Sequence, residues 1–209
     1  MSVNVHGLYA IIDADRLAPA LMPATALELS GAGATIIQLR AKSLGSGEFL
    51  KAARDLRAAL KDAAFIVNDR VDIAMMSRAD GVHLGQNDIP LIEAKRLLGN
   101  GKIIGVSTHN LKEALQAASE GADYIAFGPV FKTRSKRDAQ EMKGIACLKE
   151  VCDAVQLPVV AIGGITGENA RQVIVAGARA VAMISELIDA DDMKAKAASI
   201  VGMFGNQRS

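Results

Sequence analysis

Eight short runs rich in Val and Ile punctuate this chain, at Leu8 to Asp13, Thr35 to Arg40, Ala64 to Asp69, Gly81 to Gly85, Lys102 to Ser107, Tyr124 to Val130, Pro158 to Gly164 and Ala180 to Ser185. Between them lie stretches such as Gly47 to Asp62, Asn110 to Glu120, Cys147 to Val155 and Glu168 to Ala176, with a shorter one at Val71 to Ser77, in which apolar residues recur at helical spacing. Strands that alternate with helices pair in parallel, because a parallel neighbour can be reached only through a crossover, and runs with so little polar alternation are buried on both faces. A second regularity sharpens the pattern. Gly33-Ala34-Thr35, Arg78-Ala79-Asp80, Gly121-Ala122-Asp123 and Gly177-Ala178-Arg179 each close a helix just ahead of an even-numbered strand, so a strand-helix doublet recurs four times. An eightfold tandem closes as a barrel, whereas an open sheet would carry a different strand number and an edge strand. The expected class is α/β, a single-domain (β/α)8 TIM barrel over residues 1–209 with its core at about 8–204; no linker rich in Pro, Gly or Ser divides it.

Composition narrows the partners. The chain has 24 Lys and Arg against 23 Asp and Glu, a net charge of +1, so no long-range field draws it to nucleic acid or to an anionic membrane. Aromatic residues make up 3% with no Trp, which argues against base-stacking platforms. There is no apolar run long enough to span a bilayer and no basic-then-apolar leader at the N-terminus, so a cytoplasmic protein is expected. Cys147 and Cys152 match neither a metal knuckle nor a redox pair and read as core thiols. Nothing in the sequence fixes the oligomeric state, and a homo-oligomer is compatible with it.

In such a barrel, reactive groups gather where strands end. Strand two runs into Gln38, Arg40 and Lys42; strand three into Asn68 and Asp69; strand four through Gly85-Gln86 to Asp88; strand five into Ser107, Thr108 and His109; strand six through Gly128-Pro129 to Thr133, Ser135 and Lys136. Taken singly, each has a bland role: Asn68-Asp69 as a helix cap, Asp88 as the opening of the fourth helix, Arg40 and Lys42 as solvated charges. Their convergence on one rim favours chemistry. Two carboxylates that can hold a divalent cation, with Arg and Lys facing them, suit a diphosphate, and hard oxygen ligands select Mg2+ over zinc. Gly163-Gly164 and Ile184-Ser185, after strands seven and eight, offer backbone N–H groups and a hydroxyl for a second, monophosphate group. His83 inside a strand reads as a hydrogen-bonded core residue, and His109 as a candidate rim residue. No GxSxG elbow, HExxH helix or Walker loop occurs.

Six segments in order, Gln38-Leu39-Arg40-x-Lys42, Asn68-Asp69-Arg70, Gly81-Val82-His83-Leu84-Gly85-Gln86-x-Asp88, Gly105-Val106-Ser107-Thr108-His109, Gly128-Pro129-Val130-Phe131 and Ile162-Gly163-Gly164-Ile165, resemble the thiamine phosphate synthase family. With Leu8-Tyr9 and Met183-Ile184-Ser185, the resemblance spans about Leu8 to Ile188. It implies a transferase that joins hydroxymethylpyrimidine diphosphate to thiazole phosphate and releases diphosphate by a dissociative substitution. It further implies that Gln38, Arg40, Lys42, Asn68, Ser107 and Lys136 hold the pyrimidine diphosphate, with Arg40, Lys42, Lys136 and Ser107 acting in catalysis. Asp69 and Asp88 would ligate Mg2+, and Thr133, Ser135, Gly164, Ile184 and Ser185 would hold the thiazole phosphate. The long basic loop Phe131 to Lys143 would serve as a lid.

The match has departures. Ala41 stands where the family commonly has Glu, Lys132 where Pro is frequent, and Thr133-Arg134-Ser135 replaces a Thr-x-Thr pattern. Loss of the carboxylate at Ala41 is expected to leave Arg40 or Lys42 less firmly oriented. Two other readings remain open at this point: a thiazole tautomerase-like relative, which would carry His at the place of Pro129, and a noncatalytic sensor of phosphate ligands on the same barrel.

Overall fold

The structure, a computed structural model, describes residues 5–133 and 141–205. Eight strands form one closed parallel barrel in sequence order: β1 (Gly7–Asp13), β2 (Ile36–Arg40), β3 (Ala64–Asn68), β4 (Gly81–Leu84), β5 (Ile103–Thr108), β6 (Tyr124–Phe127), β7 (Val159–Ile162) and β8 (Ala180–Met183). All eight expected strands are present. Helices follow the strands, including α1 (Met22–Gly31), α2 (Ser46–Ala59), α3 (Val71–Met76), α4 (Leu91–Leu98), α5 (Leu111–Ser119) and α6 (Gly144–Ala154). Asn110 stands outside its helix as the cap, its side chain accepting from the Glu113 N–H, which is how Asn satisfies an orphan amide of the first turn.

The period of two along each strand sorts side chains into two cores. Tyr9, Ile11, Ile36, Ile66, Ile103, Tyr124, Ala126, Val160, Ala180 and Ala182 point into the barrel, while Leu8, Ala10, Ile12, Ile37, Leu39, Phe65, Val67, Val82 and their neighbours face the helices. This explains why the strands read as continuous apolar runs: both faces are buried. The inward column also changes character as it climbs. It runs from Ile36 to Gln38 and Arg40 on β2, from Ile66 to Asn68 on β3, and from Ile103 through Gly105 to Ser107 on β5. Apolar side chains plug the N-terminal end of the barrel and polar ones reach the C-terminal mouth.

The recurring three-residue closure does what its spacing implied. Gly33, Arg78, Gly121 and Gly177 all adopt positive φ, Arg78 being a rare non-glycine there. Its third residue ties down the floor of the barrel: Asp80 accepts the Phe65 N–H at 2.7 Å and Asp123 accepts the Ile104 N–H at 2.7 Å. One expectation is corrected. Cys147 is exposed and Cys152 half-buried on α6, because the helix turns its Leu148 and Val151 face to the barrel and the cysteines fall off that face.

Candidate active site

A cavity of about 600 Å³ opens at the C-terminal mouth, a size suited to small organic substrates. It is lined by Gln38, Arg40, Lys42, Asn68, Asp69, Asp88, Ser107, Thr133, Gly164, Ile184 and Ser185, so the structure brings eleven sequence-predicted residues together. Ser135 and Lys136 lie outside the described residues, as does most of the expected lid. The base of that loop is pinned: Val130 and Phe131 donate their N–H groups to the Ile162 and Gly163 carbonyls, and Lys143 and Gly144 donate back to Pro129 and Val130.

The cationic side of the mouth is held by carboxylates. Arg40 Nη1 donates to Asp13 Oδ2 at 2.7 Å, deep in the wall, and lies 3.5 Å from Asp15 Oδ2. Lys42 Nζ lies 2.6 Å from Asp69 Oδ2. The concern raised by Ala41 is therefore met by other residues: its side chain is buried among the apolar groups facing the helices, while Asp13 and Asp69 orient the two cations. Asp13, the residue paired with Arg40 across β1 and β2, was absent from the sequence-based site. A one-dimensional reading contains no signal for that pairing, because it depends on register.

The acidic side does not cap helices. The residue opening α3 is Arg70 and the one opening α4 is Pro90, neither with a side-chain cap, so the bland roles for Asp69 and Asp88 are excluded. Asp88 Oδ2 instead accepts the Gly85 N–H at 2.6 Å. Burial, reinforced by a hydrogen bond with the neighbouring Asp69 carboxyl, pushes the Asp88 carboxyl above its usual range. Asp69 sits at φ 63, a backbone conformation a non-glycine adopts at a cost, which turns its side chain at the end of β3 toward Lys42 and Asp88. Two carboxylates pressed together at the edge of a polar cavity form a hard, oxygen-only donor set, and these residues fit a divalent cation such as Mg2+. Among the described residues no group of three or more His, Cys, Asp or Glu forms a metal cluster, so Asp69 and Asp88 would supply only part of a coordination sphere.

On the far side, Gly164 at φ +64 leaves no room for a side chain: a Cβ there would lie 2.4 Å from the Lys132 carbonyl and 2.9 Å from Phe131 Cβ. The loop after β6 thus closes directly over the turn after β7, beside Ile184 and Ser185. His109 lines the rim, its ring Nδ1 3.0 Å from Glu113 Oε2. His83 is hydrogen-bonded inside the barrel, as its place in a strand implied, and its two ring nitrogens meet Tyr124 and Ser107. Tyr9 and Tyr124, the two tyrosines of the chain, were given no role by sequence reasoning. Their signal was available: both occupy inward strand positions in a chain poor in aromatic residues.

Comparisons with known proteins agree with one another. A family model described as thiamine monophosphate synthase matches residues 8–187. A thiamine-phosphate synthase of Methanocella arvoryzae is 42% identical over 205 residues, 97% of each chain. One from Halalkalibacterium halodurans is 47% identical over 164 residues, 78% of each chain. Among solved structures, a thiamine phosphate pyrophosphorylase from Pyrococcus furiosus superposes with a TM-score of 0.89 at 37% identity, covering 99% of this chain and 98% of its own.

Proposed function

Because the chain belongs to the thiamine monophosphate synthase family, we propose that the cavity at the barrel mouth binds hydroxymethylpyrimidine diphosphate and thiazole phosphate side by side and joins them. The enzyme is a transferase that makes thiamine phosphate. The observation that carries the assignment of roles is the juxtaposition, in one cavity, of the Asp69 and Asp88 carboxylates with Arg40 and Lys42.

In the reaction the bond between the pyrimidine methylene carbon and the diphosphate oxygen breaks, its electron pair leaving with diphosphate. The thiazole nitrogen then donates its lone pair to that carbon. Magnesium, when bound by Asp69 and Asp88, supplies divalent charge to the diphosphate oxygens. Arg40 and Lys42 face charge that grows as the bond breaks, so their attraction is stronger in the transition state than in the bound substrate, and the family resemblance assigns Lys136, outside the described residues, the same role. Losing one such donor typically costs about 3 to 4 kcal/mol of barrier. Asn68, Gln38 and Ser107 orient the pyrimidine portion. Thr133, Ser135, Gly164, Ile184 and Ser185 hold the thiazole phosphate, so that the nitrogen is in place before water reaches the cation.

The tautomerase-like reading is disfavoured by Pro129 at the position that would carry His, and by the retained carboxylate and cation set. One assay decides among the readings. The purified protein is incubated with both substrates and Mg2+, with a chelator control, and thiamine phosphate and diphosphate are measured. Equimolar products that vanish with chelator are expected, as is a loss of about two to three orders of magnitude in kcat for Asp69→Ala and for Lys136→Ala with the fold intact. Tight ligand binding without product would leave a sensor, and near-normal rates in both variants would overturn the diphosphate site.

A further inference from the structure

Five polar side chains from five strands form a single hydrogen-bonded chain across the inside of the barrel. Gln38 Nε2 donates to the Tyr9 hydroxyl at 2.7 Å. The Tyr9 and Tyr124 hydroxyls are 2.8 Å apart, Tyr124 Oη lies 3.0 Å from His83 Nδ1, and His83 Nε2 lies 2.8 Å from Ser107 Oγ. Burial pushes both phenols above their ordinary pKa, so each keeps its proton. The rings are packed as well as bonded: His83 stacks on Tyr124 at 5.6 Å and Tyr9 meets Tyr124 edge-on at 5.9 Å. Gly105 makes the seat, since a Cβ there would lie 2.0 Å from Tyr124 Cζ.

Each hydroxyl has one proton to give and two lone pairs to receive with, and in the buried interior an unpaired O–H is costly. Tyr9, 1% exposed, accepts from Gln38 and has Tyr124 as its one other side-chain partner among the described residues, so its proton is paired only by going to Tyr124. Tyr124, fully buried, then accepts from Tyr9, and its own proton is paired by going to His83 Nδ1. With Nδ1 accepting, the ring proton of neutral His83 resides on Nε2 and is donated to Ser107 Oγ. Ser107 therefore uses a lone pair inward and keeps its own proton for the cavity. At the opposite end Gln38 spends an N–H inward, which leaves its Oε1, with no hydrogen-bond partner among the described residues, as the acceptor it offers to the cavity it lines. Both ends line the mouth.

We propose that Tyr9, Tyr124 and His83 are positioning residues that hold Gln38 as an acceptor and Ser107 as a donor, and so select the heterocycle by its hydrogen-bonding pattern. The proposal rests on the reading that Gln38 and Ser107 face the pyrimidine substrate. An amino-substituted pyrimidine satisfies the pair, its exocyclic N–H donating to Gln38 and a ring nitrogen accepting from Ser107. Reversing any link reverses every link beyond it, so a residue buried behind the wall sets the polarity of one that touches substrate.

The test joins a spectroscopic readout to a kinetic one. Histidine 15N chemical shifts are recorded for the wild type, with the His83 signals identified by their absence in His83→Gln, and for Tyr124→Phe. KM is measured separately for each substrate. The wild type is expected to show His83 neutral with its proton on Nε2, and Tyr124→Phe to show a mixture of tautomers. In Tyr124→Phe, KM for the pyrimidine diphosphate is expected to rise about tenfold while KM for the thiazole phosphate stays within twofold. His83→Gln, whose amide can present an N–H where Nε2–H stands, is expected to retain more affinity than His83→Leu. A proton on Nδ1 in the wild type reverses the chain and overturns the proposal, as do equal changes in both KM values or none. Should Tyr124→Phe fail to fold, Tyr9→Phe breaks the same chain one link earlier, and the wild-type spectrum decides the direction regardless. If the wild type made no thiamine phosphate, the functional reading would fall while the Nε2–H tautomer would still support the relay.

Discussion

Replacing Asp13 by Asn tests whether Arg40 is aimed by its buried partner. Asp13 is 1% exposed at the end of β1; its Oδ2 accepts from Arg40 Nη1 at 2.7 Å and its Oδ1 from the Asp15 N–H at 3.1 Å. Removing one member of a buried ion pair costs about 3 to 5 kcal/mol. Two features reduce that here. Asn keeps the volume and the bond to Asp15 N–H, and the Arg40 side chain, 13% exposed, retains Asp15 as a second carboxylate at 3.5 Å. A loss of about 2 to 3 kcal/mol follows, or roughly 4 to 12 °C in the thermal midpoint of a chain this size. The kinetic effect is separate. A guanidinium freed from its tether by about 1 Å is expected to lower kcat about a hundredfold. Thermal unfolding by circular dichroism and steady-state release of diphosphate measure the two effects. Asp15→Asn is the control: its carboxylate is exposed and more distant, and the substitution is expected to cost under about 0.5 kcal/mol and little rate. If Asp13→Asn lowered the midpoint but left kcat within threefold of wild type, the pair would be a structural clamp and the argument that Asp13 aims Arg40 would be refuted.

Two further outcomes follow from side chains that have no part in the proposed reaction. Thr108 is 1% exposed and its Oγ1 meets no hydrogen-bond partner among the described residues; Thr108→Val, with the same shape and no hydroxyl, is expected to gain about 1 kcal/mol, read as a rise of the thermal midpoint, and a fall would refute the accounting. On α6, burial, with a smaller contribution from Asp153, pushes the Cys152 thiol up to about 11, leaving about one thiolate in a thousand at pH 8, whereas Cys147 is exposed. Mass spectrometry after brief iodoacetamide treatment should find Cys147 modified first, and equal labelling would contradict the placement of the two cysteines.

The strands were legible because the barrel buries both of their faces, so each one appears in the sequence as an uninterrupted apolar run. The helix closures were legible because Gly33, Gly121 and Gly177 need positive φ. The polar rim could be found from strand count alone, since Gln38, Asn68, Ser107 and their neighbours all fall at strand ends. What escaped the sequence was pairing. That Arg40 would find Asp13 rather than a carboxylate at position 41 depends on the register of β1 against β2. The error over Cys147 has a related cause: composition says that cysteines are usually buried, but the face that α6 buries is set by Leu148 and Val151.

The same distinction explains where selectivity resides in this barrel. Residues that line the mouth come largely from strand ends and are separated from their neighbours by one strand-helix unit, so a linear pattern records them. The groups that set their polarity meet across the interior: Tyr9 and Tyr124 are 115 residues apart, and Gln38 and Tyr9 are 29 apart, yet all lie within hydrogen-bond distance once β8 closes on β1. Closure therefore does more than bury apolar surface. It brings inward positions from β1, β2, β4, β5 and β6 into a layer where one unpaired hydroxyl would cost about 1 to 3 kcal/mol, and that cost forces every proton in the layer to point one way. A conservative change at Tyr9 or Tyr124 that barely disturbs packing can then alter what the mouth recognises, because Gln38 and Ser107 take their donor and acceptor roles from the chain behind them.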